Sequence, residues 1–356
     1  MQIGSADADP GELARGYLDI AELPTAIEER LPVIIAEGAE SGPTLWLHGS
    51  IHGDEATGLA VAQDVMTEEL PTDLRGTVVC IPNVNPAGLR RNSRTSYYHD
   101  EDPNRYFPHD ETGPRPPNLQ EQIDTRLYEL LTEHADALVD LHTAGVNSMP
   151  FTIRNDVPYG EDRSEDEARE LSAEIDQLGD AFGLPVVATY DTELKEAYGL
   201  HRSTTSAAIR AGIPAITPEL GSHSVVNDTY RQAGVVGVEN VLRALDMQGG
   251  DPTSNDHAPD APVDFPVKRS AEPHAPTTGI ARYRVTAGDV VEPEDPLVDI
   301  VAPNGEHRTT VRAPEGGFVI GRREGIAVYE NDRLLSMAVR DESDRIEPVE
   351  SEENHR

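Results

Sequence analysis

The chain places imidazole and carboxylate side chains close together where an apolar run ends. The segment HGSIHGDE, residues 48–55, contains His52 and Glu55, which are three residues apart. Side chains at this spacing share one side of a turn or of a first helical turn, so both can face one ion. Zinc binds both ligand types, and a hydrolytic zinc site uses three protein ligands and keeps one position open. His142, in the segment VDLHTAG, follows a second apolar run and is the predicted third ligand.

This pattern is weak when each part is taken alone. A single His-x-x-Glu occurs often by chance, and a lone histidine such as His142 is more often a hydrogen-bonded core residue than a ligand. His48 lies at the same strand end as His52 and is an alternative ligand. The position three residues after His48 is Ile51 rather than a carboxylate, so the spacing favours His52.

The predicted elements place these residues at the ends of strands. Over the first two-thirds of the chain, apolar runs alternate with amphipathic helical patterns. This alternation predicts an α/β fold with a largely parallel or mixed sheet flanked by helices. In such sheets, ligand-binding residues collect at the carboxyl ends of neighbouring strands. A long polar segment, 85–117, interrupts the pattern, and loops of this length are usually functional or disordered.

The composition changes after the last helical pattern. We expect an α/β domain over 1–247, which contains the candidate zinc ligands, and a Pro- and Asp-rich linker over 248–276. Short strands with regularly spaced turn residues predict a small all-β module over 277–340. The acidic tail over 341–356 is expected to be disordered.

The charge balance excludes several classes of partner. The 356 residues contain 65 acids and 29 bases, which gives a formal net charge of −36, and only Lys195 and Lys268 are lysines. Nucleic acids and anionic membranes require a positive surface, so neither is an expected partner. Acids spread along the whole chain are typical of proteins adapted to high salt, where a short Debye length screens their repulsion. An ordinary acidic protein is the alternative.

Cysteine content and hydropathy indicate the compartment. Cys80 is the only cysteine, which excludes an intrachain disulfide and a cysteine-based zinc site. The first residues lack the pattern of a signal peptide, and no apolar run approaches the roughly 18 residues of a membrane span. We therefore expect a soluble, cytoplasmic protein.

Five segments together resemble the succinylglutamate desuccinylase/aspartoacylase family, which is itself similar to the zinc carboxypeptidases. They are HGSIHGDE, NPAGLRRNSR, DPNRYFP, DLHTAG and TPELGSH, in this order. The resemblance covers roughly residues 30–247 and extends to the C-terminal β module. It implies a zinc carboxypeptidase-like mixed sheet with a small barrel-sandwich-like all-β module, and one Zn²⁺ per chain held by His52, Glu55 and His142.

The resemblance also assigns roles to four further residues. Glu219, in TPELG, matches the family's catalytic carboxylate, which accepts a proton from water and passes it to the leaving amine. Arg94 matches the arginine that polarises the scissile carbonyl and stabilises its developing charge. Asn104 and Arg105 match the pair that grips the substrate's carboxylate, for which a planar guanidinium is well shaped. The alternative for these arginines is a solvated ion pair with one of the many nearby acids.

The chain departs from the family pattern in two places. Pro103 stands before Asn104 where the family usually has leucine, and the segment TSYYHDEDP, residues 95–103, looks longer than its counterpart. The usual substrates are therefore not assumed. The β module also resembles biotinyl and lipoyl carrier domains, but it contains no lysine for such an attachment. We expect it to shield or shape the pocket, or to mediate association.

The leading hypothesis is a zinc-dependent amidohydrolase that deacylates an N-acyl amino acid or a similar small carboxylate. The second is a metallocarboxypeptidase acting on short peptides with the same residues. The third is a metal-free binding protein on a decayed hydrolase scaffold, although all four residues of the predicted centre are present. The sequence leaves the acyl group, the amine and the oligomeric state open.

Overall fold

A long mixed sheet with helices packed against it positions the residues singled out above. The computed structural model describes residues 1–98, 101–108, 115–160 and 162–349. Within these ranges the helices are α1 (Ala56–Val65), α2 (Pro86–Leu89), α3 (Leu119–His134), α4 (Glu165–Phe182), α5 (Thr192–Ala197), α6 (Thr204–Arg210) and α7 (Asp228–Ala244).

The strands fall into an N-terminal and a C-terminal group. The first group comprises β1 (Gln2–Ile3), β2 (Ala6–Asp7), β3 (Leu13–Glu22), β4 (Glu28–Glu37), β5 (Glu40–Gly49), β6 (Arg75–Ile81), β7 (Ala137–Ala144), β8 (Phe151–Arg154), β9 (Val157–Tyr159), β10 (Val186–Ala188) and β11 (Ala215–Ser222). The second comprises β12 (Val267–Ser270), β13 (Gly279–Tyr283), β14 (Val290–Val291), β15 (Pro296–Val301), β16 (His307–Arg312), β17 (Gly317–Arg322), β18 (Ala327–Val328), β19 (Leu335–Arg340) and β20 (Ile346–Pro348).

Twelve strands form the main sheet, in the order β14-β17-β19-β12-β10-β8-β11-β7-β5-β6-β4-β3. Its centre, β6-β5-β7-β11, is parallel, whereas β8 runs antiparallel to β11. The central strands are almost completely buried, as expected when helices cover a sheet. The predicted α/β class with a mixed sheet is confirmed.

The helices form two groups on the central strands. α1 and α4 each pack against α7, while α3 and α6 form a second group in which α6 contacts β7 and β11. Local sequence sets the starts of the long helices. Asn118 and Glu121 make a capping box before α3, and Ser164 and Glu167 make one before α4. Each box satisfies backbone donors that the first helical turn leaves unpaired.

The C-terminal strands do not form a detached unit. β14, β17 and β19 extend the main sheet, while β16, β15, β13 and β18 form a separate four-stranded sheet. A buried apolar cluster crosses the junction and includes Phe151, Val187, Val267, Phe318 and Ala338. This shared core fixes the C-terminal strands against the rest of the chain.

Two of the expected segment boundaries differ from the structure. The range 248–276, expected to be a linker, contains β12, which lies between β10 and β19. The tail expected to be disordered from 341 begins with an ordered part, because β20 pairs with β9, Ile346 opposite Val157. Residues 350–356 lie outside the described residues. Both differences arise from pairing with strands distant in sequence, which local composition does not reveal.

Candidate metal centre and active site

The turn between β5 and α1 carries two of the predicted ligands. His52 lies in this turn, and Glu55 is the residue immediately before α1. The Glu55 carboxylate makes no capping bond to the helix. Instead, its Oε1 lies 2.6 Å from Nδ1 of His52, and its Oε2 lies 3.0 Å from Nδ1 of His142, which is on β7. The backbone amide of Thr143 also donates to Glu55 Oε2 over 2.9 Å.

Two glycines allow this close approach. A Cβ at Gly53 would lie 2.0 Å from the carbonyl carbon of Gly88, so the turn rests directly on the backbone that precedes Arg94. A Cβ at Gly58, in the first turns of α1, would lie 2.6 Å from the carbonyl oxygen of Leu141. Only glycine lets α1 approach β7 closely enough for Glu55 to reach His142.

Glu55 and the two histidines form a buried group able to hold one metal ion. One ligand atom from each residue lies within 4.8 Å of the others, and the three residues are 2–4% exposed. Two imidazoles and a carboxylate suit zinc and leave a further coordination position for water or substrate. The three positions named from sequence are therefore close enough to share one ion.

An aspartate lies behind each of the two histidines of this group. His52 Nε2 lies 3.1 Å from Oδ1 of Asp102, and His142 Nε2 lies 3.2 Å from Oδ2 of Asp140. Both rings thus present Nδ1 to Glu55 and Nε2 to an outer carboxylate. Such carboxylates fix the ring orientation of metal-binding histidines and make them better donors.

The electrostatics of the group favour a positive charge at its centre. Burial lowers the pKa of His142, but Asp140 and Glu55 outweigh burial and raise it well above its ordinary value. Burial raises the pKa of Glu55, but His52 and His142 outweigh burial and lower it below its usual range. The negative charges that keep a proton on His142 would also stabilise a bound cation.

His48, the alternative ligand, lies outside this group. It is fully buried, and its Nε2 accepts a hydrogen bond of 2.6 Å from Nε1 of Trp46. Burial lowers the pKa of His48 to about 4 despite the nearby charge of Asp140. It is a neutral core histidine, so the choice of His52 agrees with the structure.

Glu219 lies beside the metal-binding group. It is on β11, directly opposite His142 of β7 in the parallel register, and it is 8% exposed. Its Oε2 is buried and has no hydrogen-bond partner within the part of the chain that the structure describes. Burial raises the pKa of Glu219, and the charge of Glu55 adds to this, while His142 and Arg269 only partly reverse it. A carboxyl group with a raised pKa and no fixed partner is suited to exchanging protons.

The long polar segment brings its predicted residues to the same place. Arg94 donates to Asp102 Oδ2 over 2.8 Å and lies 3.5 Å from Glu55 Oε1. Arg105 lies 3.4 Å from the same Asp102 oxygen and donates to the carbonyl oxygen of Tyr198 over 2.7 Å. Asn104 differs from expectation in part, because its Oδ1 accepts bonds from the amide and hydroxyl of Thr204. The side chain of Asn104 thus connects the polar segment to the first residue of α6.

A cavity of about 720 Å³ connects these residues. His52, Glu55, Arg94, Asn104, Arg105, His142 and Glu219 all line it. Residues from the C-terminal strands and their loops line it as well, among them Arg269, Arg322 and Ser336. His223 and Tyr198 also line the cavity.

Similarity to known proteins agrees with this geometry. Residues 41–245, which are more than half of the chain, match the model of the succinylglutamate desuccinylase/aspartoacylase catalytic domain. The chain belongs to the succinylglutamate desuccinylase/aspartoacylase family. The matched range contains every residue named from sequence as a ligand, catalytic or substrate-binding residue.

Members of this family and their solved structures resemble the chain over nearly its whole length. An N-alpha-acetyl-L-2,4-diaminobutyric acid deacetylase from Halomonas elongata is 24% identical over 313 residues, covering 86% of this chain and 85% of that protein. A succinylglutamate desuccinylase/aspartoacylase from Rhodobacter sphaeroides superposes with a TM-score of 0.76 at 23% identity, covering 95% of this chain and 98% of that one. The product-bound ectoine utilization protein EutE from Ruegeria pomeroyi gives a TM-score of 0.76 at 21% identity, covering 94% and 98%.

Across the described ranges, none of the helices combines the length and apolar character required to cross a bilayer.

Several residues at the site were not singled out from sequence. Asp102 and Asp140 lie inside quoted segments, and a usable signal existed for Asp140. It stands two residues before His142 on a strand, a spacing that puts both side chains on one face. Arg269 lies in the range expected to be a linker, and no local signal marked it.

Proposed function

We propose that this family member is a zinc-dependent hydrolase that cleaves the amide bond of an N-acyl amino acid or a similar small carboxylate. The observation that carries the proposal is the buried Oε2 of Glu219, which has no hydrogen-bond partner among the described residues and belongs to a carboxylate beside the His52, Glu55 and His142 group. A free acid next to three metal-binding side chains is the arrangement needed to activate water for attack on an amide.

His52, Glu55 and His142 would hold the ion, and Asp102 and Asp140 would orient the two imidazoles. This donor set fits zinc, which accepts nitrogen and oxygen ligands in one site. Bound zinc supplies Lewis-acid chemistry, which makes water acidic enough to attack at neutral pH.

The remaining residues handle protons, charge and orientation. Glu219 accepts a proton from the attacking water and delivers it to the leaving nitrogen, a role that its raised pKa suits. Arg94 stabilises negative charge developing on the carbonyl oxygen, since its guanidinium lies beside Glu55. Arg105, with Asn104 beside it, binds the substrate's carboxylate; its guanidinium lies 3.4 Å from Oδ2 of Asp102, the oxygen that also accepts from Arg94.

The shape of the site favours a small substrate over a peptide. Residues of the C-terminal strands close one side of the cavity that contains the metal-binding group. A junction core fixes these strands in place, so they do not open as a separate lid. The Halomonas elongata relative is described as a deacetylase of an N-acetylated amino acid, which supports the same class of substrate here.

A release assay combined with metal analysis tests the proposal. The protein is freed of metal with a chelator, reloaded with zinc and incubated with N-acetyl amino acids, N-succinyl amino acids and dipeptides. We expect about one zinc per chain and release of free amino acid from N-acyl substrates only in the reloaded protein. Release from dipeptides alone would instead identify a carboxypeptidase. Failure to bind zinc would support a binding protein on a decayed scaffold.

A further inference from the structure

Two buried polar side chains of β5 lie next to the aspartate behind His142. Trp46 and His48 share one face of β5, and Asp140 and His142 share one face of β7, because residues two apart on a strand point to the same side. β5 and β7 are parallel neighbours, and His48 is opposite Asp140 in their register. Adjacent strands are about 5 Å apart, so these two side chains lie within reach of each other.

Trp46 fixes the tautomer of His48. An indole nitrogen can only donate a hydrogen bond, and Nε1 of Trp46 lies 2.6 Å from Nε2 of His48. Nε2 of His48 is therefore the acceptor, which leaves the proton of the neutral ring on Nδ1. His48 thus carries one N–H donor on the side of the ring away from Trp46.

This donor and one oxygen of Asp140 are both buried and unpaired. Neither His48 Nδ1 nor Asp140 Oδ1 has a hydrogen-bond partner among the described residues, and both residues are 0% exposed. Leaving a buried donor and a buried acceptor unpaired is costly, whereas pairing them removes both penalties at once. Because the two residues are register partners, one short hydrogen bond or one buried water can join these atoms.

The two aspartates behind the histidines have different surroundings. Asp102, behind His52, has a side chain that is 24% exposed, and the guanidiniums of Arg94 and Arg105 lie within 3.4 Å of its Oδ2. Asp140 is fully buried, and within the described ranges its ion pairing is with His142 alone. A neutral imidazole can hold Asp140 in place without cancelling the negative charge that acts on His142.

We infer that His48 is a positioning residue of the candidate metal centre: its Nδ1–H donates to Asp140 Oδ1, directly or through one buried water, and so fixes the carboxylate that orients His142. Asp140 Oδ2 lies 3.2 Å from His142 Nε2, near the upper limit of an N–H···O bond, so this carboxylate gains from a second donor. With Oδ1 held, Oδ2 stays directed at His142 Nε2, and His142 Nδ1 remains available to the ion. This inference rests on the proposed function, in which His142 is a zinc ligand.

Two substitutions separate the two contacts of His48. The amide of asparagine lies near the position of Nδ1, so His48→Asn keeps a donor toward Asp140 and loses the acceptor for Trp46. The amide of glutamine reaches the position of Nε2, so His48→Gln keeps the acceptor for Trp46 and loses the donor toward Asp140. Both variants remove the ring, so a histidine needed only for packing would give similar effects in the two.

Zinc dissociation constants, measured by competition with a chromophoric chelator, compare these variants. We expect His48→Gln to bind zinc about 3- to 10-fold more weakly than wild type, a smaller loss than the about 10- to 100-fold typical when an outer carboxylate itself is removed. His48→Asn is expected to keep the wild-type affinity. His257→Gln, at an exposed histidine in the segment before β12, is the control and should also bind zinc as wild type does.

A double-mutant cycle tests whether His48 acts through Asp140. Asp140→Ala removes the carboxylate, so adding His48→Gln to it should cause no further loss of zinc affinity. Additive losses would mean that His48 affects the metal centre through packing, and they would overturn the inference.

Nuclear magnetic resonance of the histidine rings tests the hydrogen bond itself. In a nitrogen–proton correlation spectrum of the zinc-loaded wild type, the His48 signals are those that disappear in His48→Gln. We expect a protonated Nδ1 and an unprotonated Nε2 on His48. The Nδ1 proton should move upfield in Asp140→Ala, because it loses its acceptor. A proton on Nε2, or an Nδ1 proton that is insensitive to Asp140→Ala, would contradict the inference.

The outcomes separate this inference from the proposed function. Hydrolysis of N-acyl amino acids with equal zinc affinities in wild type and His48→Gln, or with equal losses in His48→Gln and His48→Asn, would reject the inference alone. Zinc binding that weakens in His48→Gln but not in His48→Asn, without hydrolysis of any substrate, would support the inference and reject the hydrolase. A wild-type protein that binds no zinc would reject both.

Discussion

Glu219 and His142 are register partners on adjacent parallel strands, β11 and β7, so the Glu219 carboxylate lies directly beside an imidazole of the candidate metal centre. Because both residues belong to buried central strands, their spacing is set by backbone pairing rather than by flexible loops. Sites built on such elements hold their geometry more accurately than sites built on loops. This relationship determines the first prediction.

Glu219→Gln should retain zinc and lose turnover. Glutamine has nearly the same shape but cannot accept and return a proton, so we expect kcat to fall by about 10²- to 10⁴-fold. Steady-state kinetics and metal analysis of the same preparation measure both effects. Glu330→Gln, at an exposed position in the turn between β18 and β19, should behave as wild type. An unchanged rate in Glu219→Gln would mean that another group moves the proton.

Asp102→Asn should weaken metal binding. Asp102 Oδ1 lies 3.1 Å from His52 Nε2, and loss of such an outer carboxylate typically lowers metal affinity about 10- to 100-fold. Asp140→Asn, behind His142, should give a loss of similar size. Zinc dissociation constants from competition with a chromophoric chelator measure the effect. Glu101→Gln, in the same segment as Asp102, is the control, and equal affinities in all four proteins would contradict the proposed support.

Arg94 should affect kcat more than KM. If its guanidinium stabilises charge that develops only during the reaction, Arg94→Gln should lower kcat by about 10²- to 10³-fold while KM changes little. Arg94→Lys should recover part of the loss, because it keeps a positive charge without the planar geometry. Arg91→Gln changes an exposed arginine of the same segment and should retain activity. A loss confined to KM would instead assign Arg94 to substrate binding.

Gly58→Ala should destabilise the protein and weaken the metal centre together. The new Cβ would lie 2.6 Å from the carbonyl oxygen of Leu141, so α1 must move away from β7 and draw Glu55 from His142. We expect a loss of about 1–3 kcal/mol in the free energy of unfolding, the usual cost of overpacking. Gly179→Ala in α4 is the matched control, since its nearest contact is a side-chain carbon of Val186 at 3.4 Å. That variant should gain up to about 1 kcal/mol from helix propensity. Urea unfolding and zinc-affinity measurements on both variants test whether stability and metal binding fall together in Gly58→Ala alone.

Asp124 should make stability depend on pH. It is buried in α3, and burial raises its pKa well above the ordinary value, although Gln120 opposes this with a hydrogen bond. The native carboxyl therefore keeps its proton at pH values where the unfolded chain has lost it, so stability falls as pH rises from about 4 through the native pKa. Asp124→Asn should remove this loss, giving equal stability to wild type at low pH and greater stability at neutral pH. The unfolding midpoints of the two proteins are measured from pH 4 to 8 at constant salt. A difference between them that does not change with pH would contradict the assignment of this pH dependence to Asp124.

Much of the fold and the site was accessible from the sequence because the relevant patterns are local. Alternating apolar and amphipathic segments predicted the α/β class, and the three-residue spacing of His52 and Glu55 reflects one turn of chain. His142 stands near the end of a strand that its own apolar run identifies, whereas Glu219, near the end of β11, was named by the resemblance to the family. Such features depend on a few neighbouring residues, so they can be read without a structure.

The tertiary structure decided everything that depends on pairing between distant segments. It placed Asp102 behind His52, inserted β12 into the main sheet, and brought Arg269 to the cavity beside Tyr190. β12 lies in a polar range that looks like a linker, because a short strand bonded on both sides needs little apolar sequence of its own. Strand pairing is governed by partners elsewhere in the chain. Local sequence patterns could therefore indicate the candidate metal ligands but not the residues of the C-terminal strands that line the cavity.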